Sequence, residues 1–404
     1  MPVSHPSDMF TSFFLIEIFR MSFPDQIPYR RWFPWLNLFQ AIEIALSIRQ
    51  LVVAAGAIAV FSLSHQLFDR IGPESSPSFQ MEIQIGTRPD SQGALLPSRE
   101  SVNFIALPWL EVLHSAERVI GPFGSSGRAV SGATLEIPRK SPSMVSIGVL
   151  VWHVIVWTLF GLILCRLSAR RFAKGENGSF RKGVQFGLTR WGRGMVAPLI
   201  PIAAATLILV GMVVGSGVAW VLPVINLIAI AVFAPFLLVG GMIAGFLLVA
   251  TLLGWPLMVA AIAYDDCDGF GGLSRSYSQW TGRPWYFVWC WIVVATAGLI
   301  ALTIAGWLGE WAFYLCSVSI EHGMGSNGSA AFGRRVIQFL IQLLMHAYAI
   351  SFFWTSATIV YALLRQSVDW MPCDSMSPDD DERQARDPLP VVGIPAMEPP
   401  APTT

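Results

Sequence analysis

Between residues 195 and 264 the chain carries no charged side chain. About 20 helical residues cross a hydrocarbon core ~30 Å thick, so a run of this length must enter a membrane, turn and come back at least once. Pro223 and Asn226 mark the turn. The sequence predicts a third span near 195–214, a fourth near 236–263, and a short interfacial or re-entrant helix between Pro223 and Pro235. Three passes through 195–264 are the alternative, and they would invert everything downstream.

The stretch before this run orients it. Residues 166–193 read RLSARRFAKGENGSFRKGVQFGLTRWGR and hold eight Arg and Lys against one acid, Glu176. Short connectors rich in Lys and Arg stay on the cytoplasmic side of a membrane, so 166–194 is expected there. Composition agrees: of 404 residues 54% are hydrophobic and 13% charged, where a soluble domain carries about 25% charged, and the charges sit in connectors and tails. Many of the sixteen Trp and twenty-six Phe flank apolar runs, as interfacial anchors do. Lys+Arg and Asp+Glu balance at 26 each, so no global field argues for nucleic acid.

In chain order, 1–49 is expected to be a cytoplasmic segment. Its apolar piece at 10–19 is short, interrupted by Glu17 and without a basic start, so it is not read as a signal peptide. Residues 36–49 have apolar side chains at helical spacing, which predicts an amphipathic helix lying on the surface. A first span follows at 50–68. A periplasmic loop or subdomain covers 69–142, where Phe79-Gln-Met-Glu-Ile-Gln-Ile85 and, more briefly, Ala133-Thr-Leu-Glu-Ile137 alternate as strands do. The second span is 144–165. After 195–263 come a cytoplasmic elbow at 264–285, a fifth span at 286–308, a periplasmic loop at 309–335 and a sixth span at 336–364. The tail 365–404 has eight acids against three bases, Asp379-Asp-Asp-Glu382 among them, and is expected to be disordered. The five cysteines are scattered, form no CxxC and are absent from 69–142. They suggest neither a disulfide framework nor a metal site.

Three connectors share a pattern just before a span: Ala45-Leu-Ser-Ile-Arg49, Gly187-Leu-Thr-Arg190 with Trp191 and Arg193 behind it, and Gly272-Leu-Ser-Arg275 with Trp280 and Arg283. Each reads as a short elbow helix, which predicts three pseudo-repeats of elbow plus two spans. Gly211-x-x-x-Gly215 and Gly241-x-x-x-Gly245 have the spacing that lets membrane helices approach closely, although glycine is common in such helices anyway.

The blocks LFGLILCRLSARRFAKGENGSF, APLIP and GWPLMVAAIAYDDCDGFGGLSRSYSQWTGRPW resemble an uncharacterised family of bacterial integral membrane proteins, over roughly residues 150–290. More distantly, the elbow-plus-two-spans pattern resembles the membrane domain fused to some glycerophosphodiester phosphodiesterases. The resemblance implies location and topology, a bacterial cytoplasmic membrane with both termini inside, and no activity. Where the family tends to a DAFDALSR-like run, this chain has Asp268-Gly-Phe-Gly-Gly-Leu-Ser-Arg275, without the second acid.

No P-loop, HExxH, GxSxG or dinucleotide fingerprint is present. Asp265, Asp266 and Asp268 could hold a cation or a partner, against the plainer reading that they cap a helix. Arg190, Arg193, Arg275 and Arg283 could grip lipid phosphates, against the plainer reading that they only orient the chain. His153 and His346 fall near mid-span, and Gln338, Gln342 and His346 form a stripe at i, i+4, i+8. Ionisable groups at that depth point to function by default; a neutral imidazole bonded to a neighbouring helix is the plainer account. The stripe is expected to face the interior and meet His153.

The sequence thus predicts an all-α integral membrane protein of six transmembrane helices with a small β-containing periplasmic loop. The function expected is non-enzymatic, membrane-organising or partner-binding, with membrane lipids, a membrane protein or a second copy as partners. No nucleic acid, cofactor or metal is expected. A transporter or channel with a His/Gln-lined pathway is the alternative.

Overall fold

The computed structural model describes residues 33–71, 108, 112, 144–175, 178–221, 226–325, 328–373 and 375–377, and among these all regular structure is helical. A 3-10 turn, Pro34–Phe39, leads into α1 (Gln40–Ala45). There follow α2 (Ile48–Ile71), α3 (Met144–Lys174), α4 (Phe180–Val221), α5 (Asn226–Asp265), α6 (Gly269–Gly282), α7 (Pro284–Met324) and α8 (Gly328–Asp369). Among the described residues five helices are long and apolar enough to cross a membrane. There are six if Pro34–Ala45 and Ile48–Ser64, bent by 74° at their break, form one span. The chain is a multi-pass helical membrane protein.

Helices α3, α5 and α8 meet in the middle; α2 packs on α3 and α8, α4 on α3 and α5, and α7 on α8. One end of this bundle is a true core. There Trp157, Leu162 and Leu164 of α3, Leu257 to Tyr264 of α5, and Trp354 and Tyr361 of α8 are fully buried. Elsewhere α4 and α5 leave Leu207, Val213, Phe236 and Met242 exposed, which is what a helix solvated by lipid tails presents. The basic residues in the last turns of α3 and the first turns of α4 mark the buried end, called the basic end below. Helix α4 leaves it and α5 returns to it, because Arg190 near the start of α4 bonds Asp266 just beyond α5.

Close approach is built at different glycines from those expected. Gly183, Gly187 and Gly194 face α3: a Cβ on Gly183 would lie 2.7 Å from Leu167, one on Gly194 2.6 Å from Thr158, and one on Gly187 would collide with Ile163. Gly211, Gly215 and Gly245 have open space, and Gly241 has only an ordinary contact with Met212. Away from the basic end Ile208 and Met212 fill the gap between α4 and α5 beside Gly240, so no backbone contact is needed there.

The segment 36–49 has one face buried, with Leu38, Ala41, Ile44 and Ala45 packed where its first turns dock on α8, and one face exposed, with Phe39, Leu46 and Ile48. Three expectations change. The helix expected between Pro223 and Pro235 is not separate from Asn226 onward, because α5 runs unbroken through Pro235 and Pro256; neighbouring groups in membrane helices tolerate proline. The second elbow is continuous with its span in α4, through Pro198 and Pro201. The loop expected at 309–335 is largely helix, because a lone Glu310 does not stop a run without Pro or Gly, and α7 ends only at Gly325, with φ 67°. At 1.5 Å per residue α7 and α8 are therefore longer than a bilayer core is thick. The strands expected in 69–142 fall outside the described residues.

Candidate functional site at the basic end

The three aspartates at and just beyond the end of α5 do three different jobs. Asp268 caps α6, its carboxylate accepting the Gly271 N–H at 3.0 Å. Asp266 sits at φ 50°, a left-handed conformation that Asp tolerates as a single residue. This turn aims its carboxylate at α4, where Arg190 donates at 2.8 and 3.2 Å and Arg193 at 3.2 Å. Asp265 receives Arg275 of α6, the Tyr361 hydroxyl and, at 3.3 Å, Arg365 of α8. Capping thus holds for Asp268 alone. Three of the four arginines that were candidates to grip lipid phosphate, Arg190, Arg193 and Arg275, are bonded to carboxylates. Arg283, exposed, ends α6 at φ −140°, because Pro284 behind it disfavours the helical region.

Beneath these pairs lies Arg166, 2% exposed. It donates to the Ala263 carbonyl at 2.8 Å and to the Ser377 carbonyl at 3.2 Å, with Phe186 under its guanidinium at 4.4 Å. Residues 371–373 and 375–377 therefore fold back as a strap over the basic end. The Ser377 N–H donates to the Tyr264 carbonyl at 3.1 Å, and Arg365 donates to the Ser375 carbonyl at 3.0 Å. The Tyr264 hydroxyl donates to the Cys373 carbonyl. The signal for the strap was in the sequence, since Met376 is an apolar residue inside a polar tail, but one residue cannot announce a docking.

Burial pushes the Cys267 thiol up to about 11, with Arg275 pulling the other way. With Cys267 as the only cysteine, its alkylation rate should climb about tenfold per pH unit to pH ~11. An ordinary thiol, at about 8.5, would level off earlier. A plateau by pH 9.5 would show the thiolate to be far better solvated than its position implies.

A second polar cluster went unnoticed in the sequence. Gln50, at the start of α2, donates to Ser168 at 2.9 Å and accepts from Ser351 at 2.8 Å and Thr355 at 3.0 Å. Ser168 also donates to the Leu164 carbonyl at 2.7 Å. Gln50 stands at the edge of the first predicted span, and its partners lie on α3 and α8; only the tertiary fold joins them. Gln50→Ala removes one partner from each of the three hydroxyls, but Ser351 keeps the Ala45 carbonyl and Thr355 and Ser168 keep each other, so the loss is about 1–3 kcal/mol for the network as a whole. We expect a lower unfolding temperature in detergent, and a variant as stable as the native protein would count against the network.

Both histidines are inside the protein, His153 at 2% and His346 at 4% exposure. His153 lies against the Phe61 ring, 4.8 Å between centroids. His346 Nδ1 is 2.8 Å from the Gln342 carbonyl on its own helix. Gln338 and Gln342 are half-buried. Among the described residues no group of three or more His, Cys, Asp or Glu is arranged to hold a metal.

No protein family, curated protein or solved structure matches this chain. The resemblance to a bacterial family and to the phosphodiesterase membrane domain thus finds no support among known proteins.

Proposed function

We propose that this is a non-enzymatic, membrane-organising or partner-binding protein of a bacterial cytoplasmic membrane, with its basic end toward the cytoplasm. The supporting observation is the fastening of α6 and the start of α4 by Arg190–Asp266, Arg193–Asp266 and Arg275–Asp265. Ion pairs between an elbow and the end of a span make a fixed ledge at headgroup depth. Beside that ledge is an apolar groove of about 320 Å³ between Ile200 and Pro201 of α4, Leu247 of α5, and Phe270, Leu273 and Tyr277 of α6. The α4–α5 hairpin beyond it is only 22% and 17% buried over its most apolar stretches. Ledge, groove and hairpin suit contact with lipid or with another membrane helix.

The same geometry supports the elbow repeat. Gly187 and Gly272 each lie against an isoleucine of the preceding span, Ile163 and Ile262, and Arg190 and Arg275 each meet one of two adjacent aspartates. The second reading is transport through a polar path at His153, Gln338, Gln342 and His346, and the burial of both imidazoles favours it.

Photocrosslinkers placed at Leu207 and Met242 in native membranes test the first reading. Adducts to a defined protein, to a second copy or to lipid alone support it. Solute flux in proteoliposomes that His346→Ala abolishes would overturn it in favour of transport. Labelling of Ser278→Cys from the periplasm would overturn the orientation.

A further inference from the structure

Helix α6 has two faces. Gly269, Gly272, Ser276 and Gln279 form the buried one: Gly272 lies on Ile262 of α5, and Ser276 donates to the Gly254 carbonyl at 3.2 Å. Phe270, Leu273, Ser274 and Tyr277 repeat at helical spacing beside it and form the α6 wall of the groove shared with α4 and α5. Burial does not account for this second face. Phe270 is 63% exposed, Ser274 is exposed, and Leu273 and Tyr277 are half-buried. The Tyr277 hydroxyl is 3.4 Å from that of Thr251, and the Ser274 hydroxyl stands at the rim. The groove also runs out onto the apolar flank of the α4–α5 hairpin. Ala204 in its α4 wall is one turn from Leu207, 73% exposed, and Leu247 in its α5 wall is one turn from Ile243, 48% exposed.

We propose that the groove is a binding site for one acyl chain of a phospholipid, with an ester carbonyl of that lipid accepting a hydrogen bond from Ser274. Three observations choose a lipid over a protein helix. The groove is continuous with the surface that lipid tails solvate. Its volume of about 320 Å³ holds roughly ten groups of ~30 Å³, the share of a water in the liquid, which suits a stretch of hydrocarbon chain; a helix about 10–12 Å across does not enter. Its walls are apolar while its rim, at the elbow, carries a hydroxyl, so one end of the occupant is hydrocarbon and the other accepts a hydrogen bond. An empty groove would forfeit the dispersion contacts of its lining, and a chain held by three helices makes more of them than a tail resting on one. The inference rests on the reading above only in taking α6 to lie at headgroup depth, and it names what the groove holds.

Two measurements on the full chain test it. In the first, the native protein in nanodiscs of palmitoyl-oleoyl phosphatidylcholine receives the same lipid with a diazirine in one acyl chain, and is photolysed before and after extraction into detergent. Adducts on Leu247, Leu273 or Tyr277 should survive extraction, while those on Leu207 and Met242 should fall several-fold. Adducts confined to Leu207 and Met242 would overturn the site, and so would equal losses at all five positions, which would make the lipid merely adjacent. In the second, Ala204→Trp and Ser274→Trp, both at exposed positions, fill the groove, and Gly245→Trp adds the same bulk where nothing lies within 4 Å. Native mass spectrometry should count one retained phospholipid fewer on the two groove variants than on the native chain and on Gly245→Trp. Equal counts in all four, an equal loss on Gly245→Trp, or loss of a bound protein with the lipid count unchanged would each overturn the proposal. If a groove variant does not fold, the first measurement decides alone. Neither readout uses a crosslinker on the hairpin or solute flux, so a lipid-filled groove in a protein that transports, or an empty one in a protein that binds a partner, separates this inference from the function proposed above.

Discussion

Asp265→Asn is expected to destabilise the folded protein by about 3–5 kcal/mol, the range for removing one partner of a buried ion pair. The Asp265 side chain is 4% exposed and that of Arg365 9%, so neither charge can turn to water. The same carboxylate receives Arg275 and the Tyr361 hydroxyl. Asparagine keeps the volume but replaces one acceptor by an N–H₂ donor facing other donors. Arg365 is also what holds Ser375, so the strap should loosen with it, and proteolysis just beyond Asp369 should accelerate. Arg275→Gln should do far less, within about 1 kcal/mol, because the Arg275 side chain is 47% exposed and exposed pairs contribute little. Adding Arg365→Met to Asp265→Asn should recover part of the loss, and a double-mutant cycle on unfolding in detergent measures the coupling. If Asp265→Asn unfolds at the native temperature, the junction of α5, α6 and α8 is held by packing alone.

The contrast between those two arginines shows what a sequence displays and what it withholds. That 195–264 must fold back was legible, because a charge-free run of that length has few physical solutions. That the connector and the third elbow share one end was legible too, from two motifs of the same kind; the Arg190–Asp266 and Arg275–Asp265 pairs show the shared end directly. Element boundaries were less so. The fifth span is predicted to end at 308, before Glu310 and Trp311, whereas an isolated acid does not break a helix and α7 runs on to Gly325. The aspartates were read as one cluster, since adjacency in sequence suggests a shared role, yet the turn at Asp266 sends neighbouring carboxylates to different helices. Gln50 could not be found at all: its partners come from α3 and α8, more than a hundred residues away. Glycine spacing misled for a related reason. A GxxxG pair permits close approach, but whether backbones come together depends on the residues opposite.

Those residues make the second large effect specific. Gly161→Leu should prevent the bundle from assembling, and Gly161→Ala should cost about 1–3 kcal/mol, the usual range for overpacking a core. Gly161 lies on α3 directly beneath Trp354 of α8. A Cβ there would stand 2.7 Å from ring atoms Cη2 and Cζ2 and 2.9 Å from Cε2. The indole cannot yield: Trp354 is fully buried, Trp255 meets its ring edge-on at 5.4 Å and Phe353 at 5.2 Å. Relief would require α3 and α8 to separate, and both run through the buried core. Gly245→Ala is the control, since a Cβ there meets nothing within 4 Å and alanine favours helix over glycine by about 1 kcal/mol. Unfolding followed by tryptophan fluorescence in detergent should place Gly161→Ala well below the native protein and Gly245→Ala at or above it. Equal midpoints for the two alanine variants would mean that α3 and α8 are not in contact at Gly161, and the central packing of the bundle would have to be redrawn.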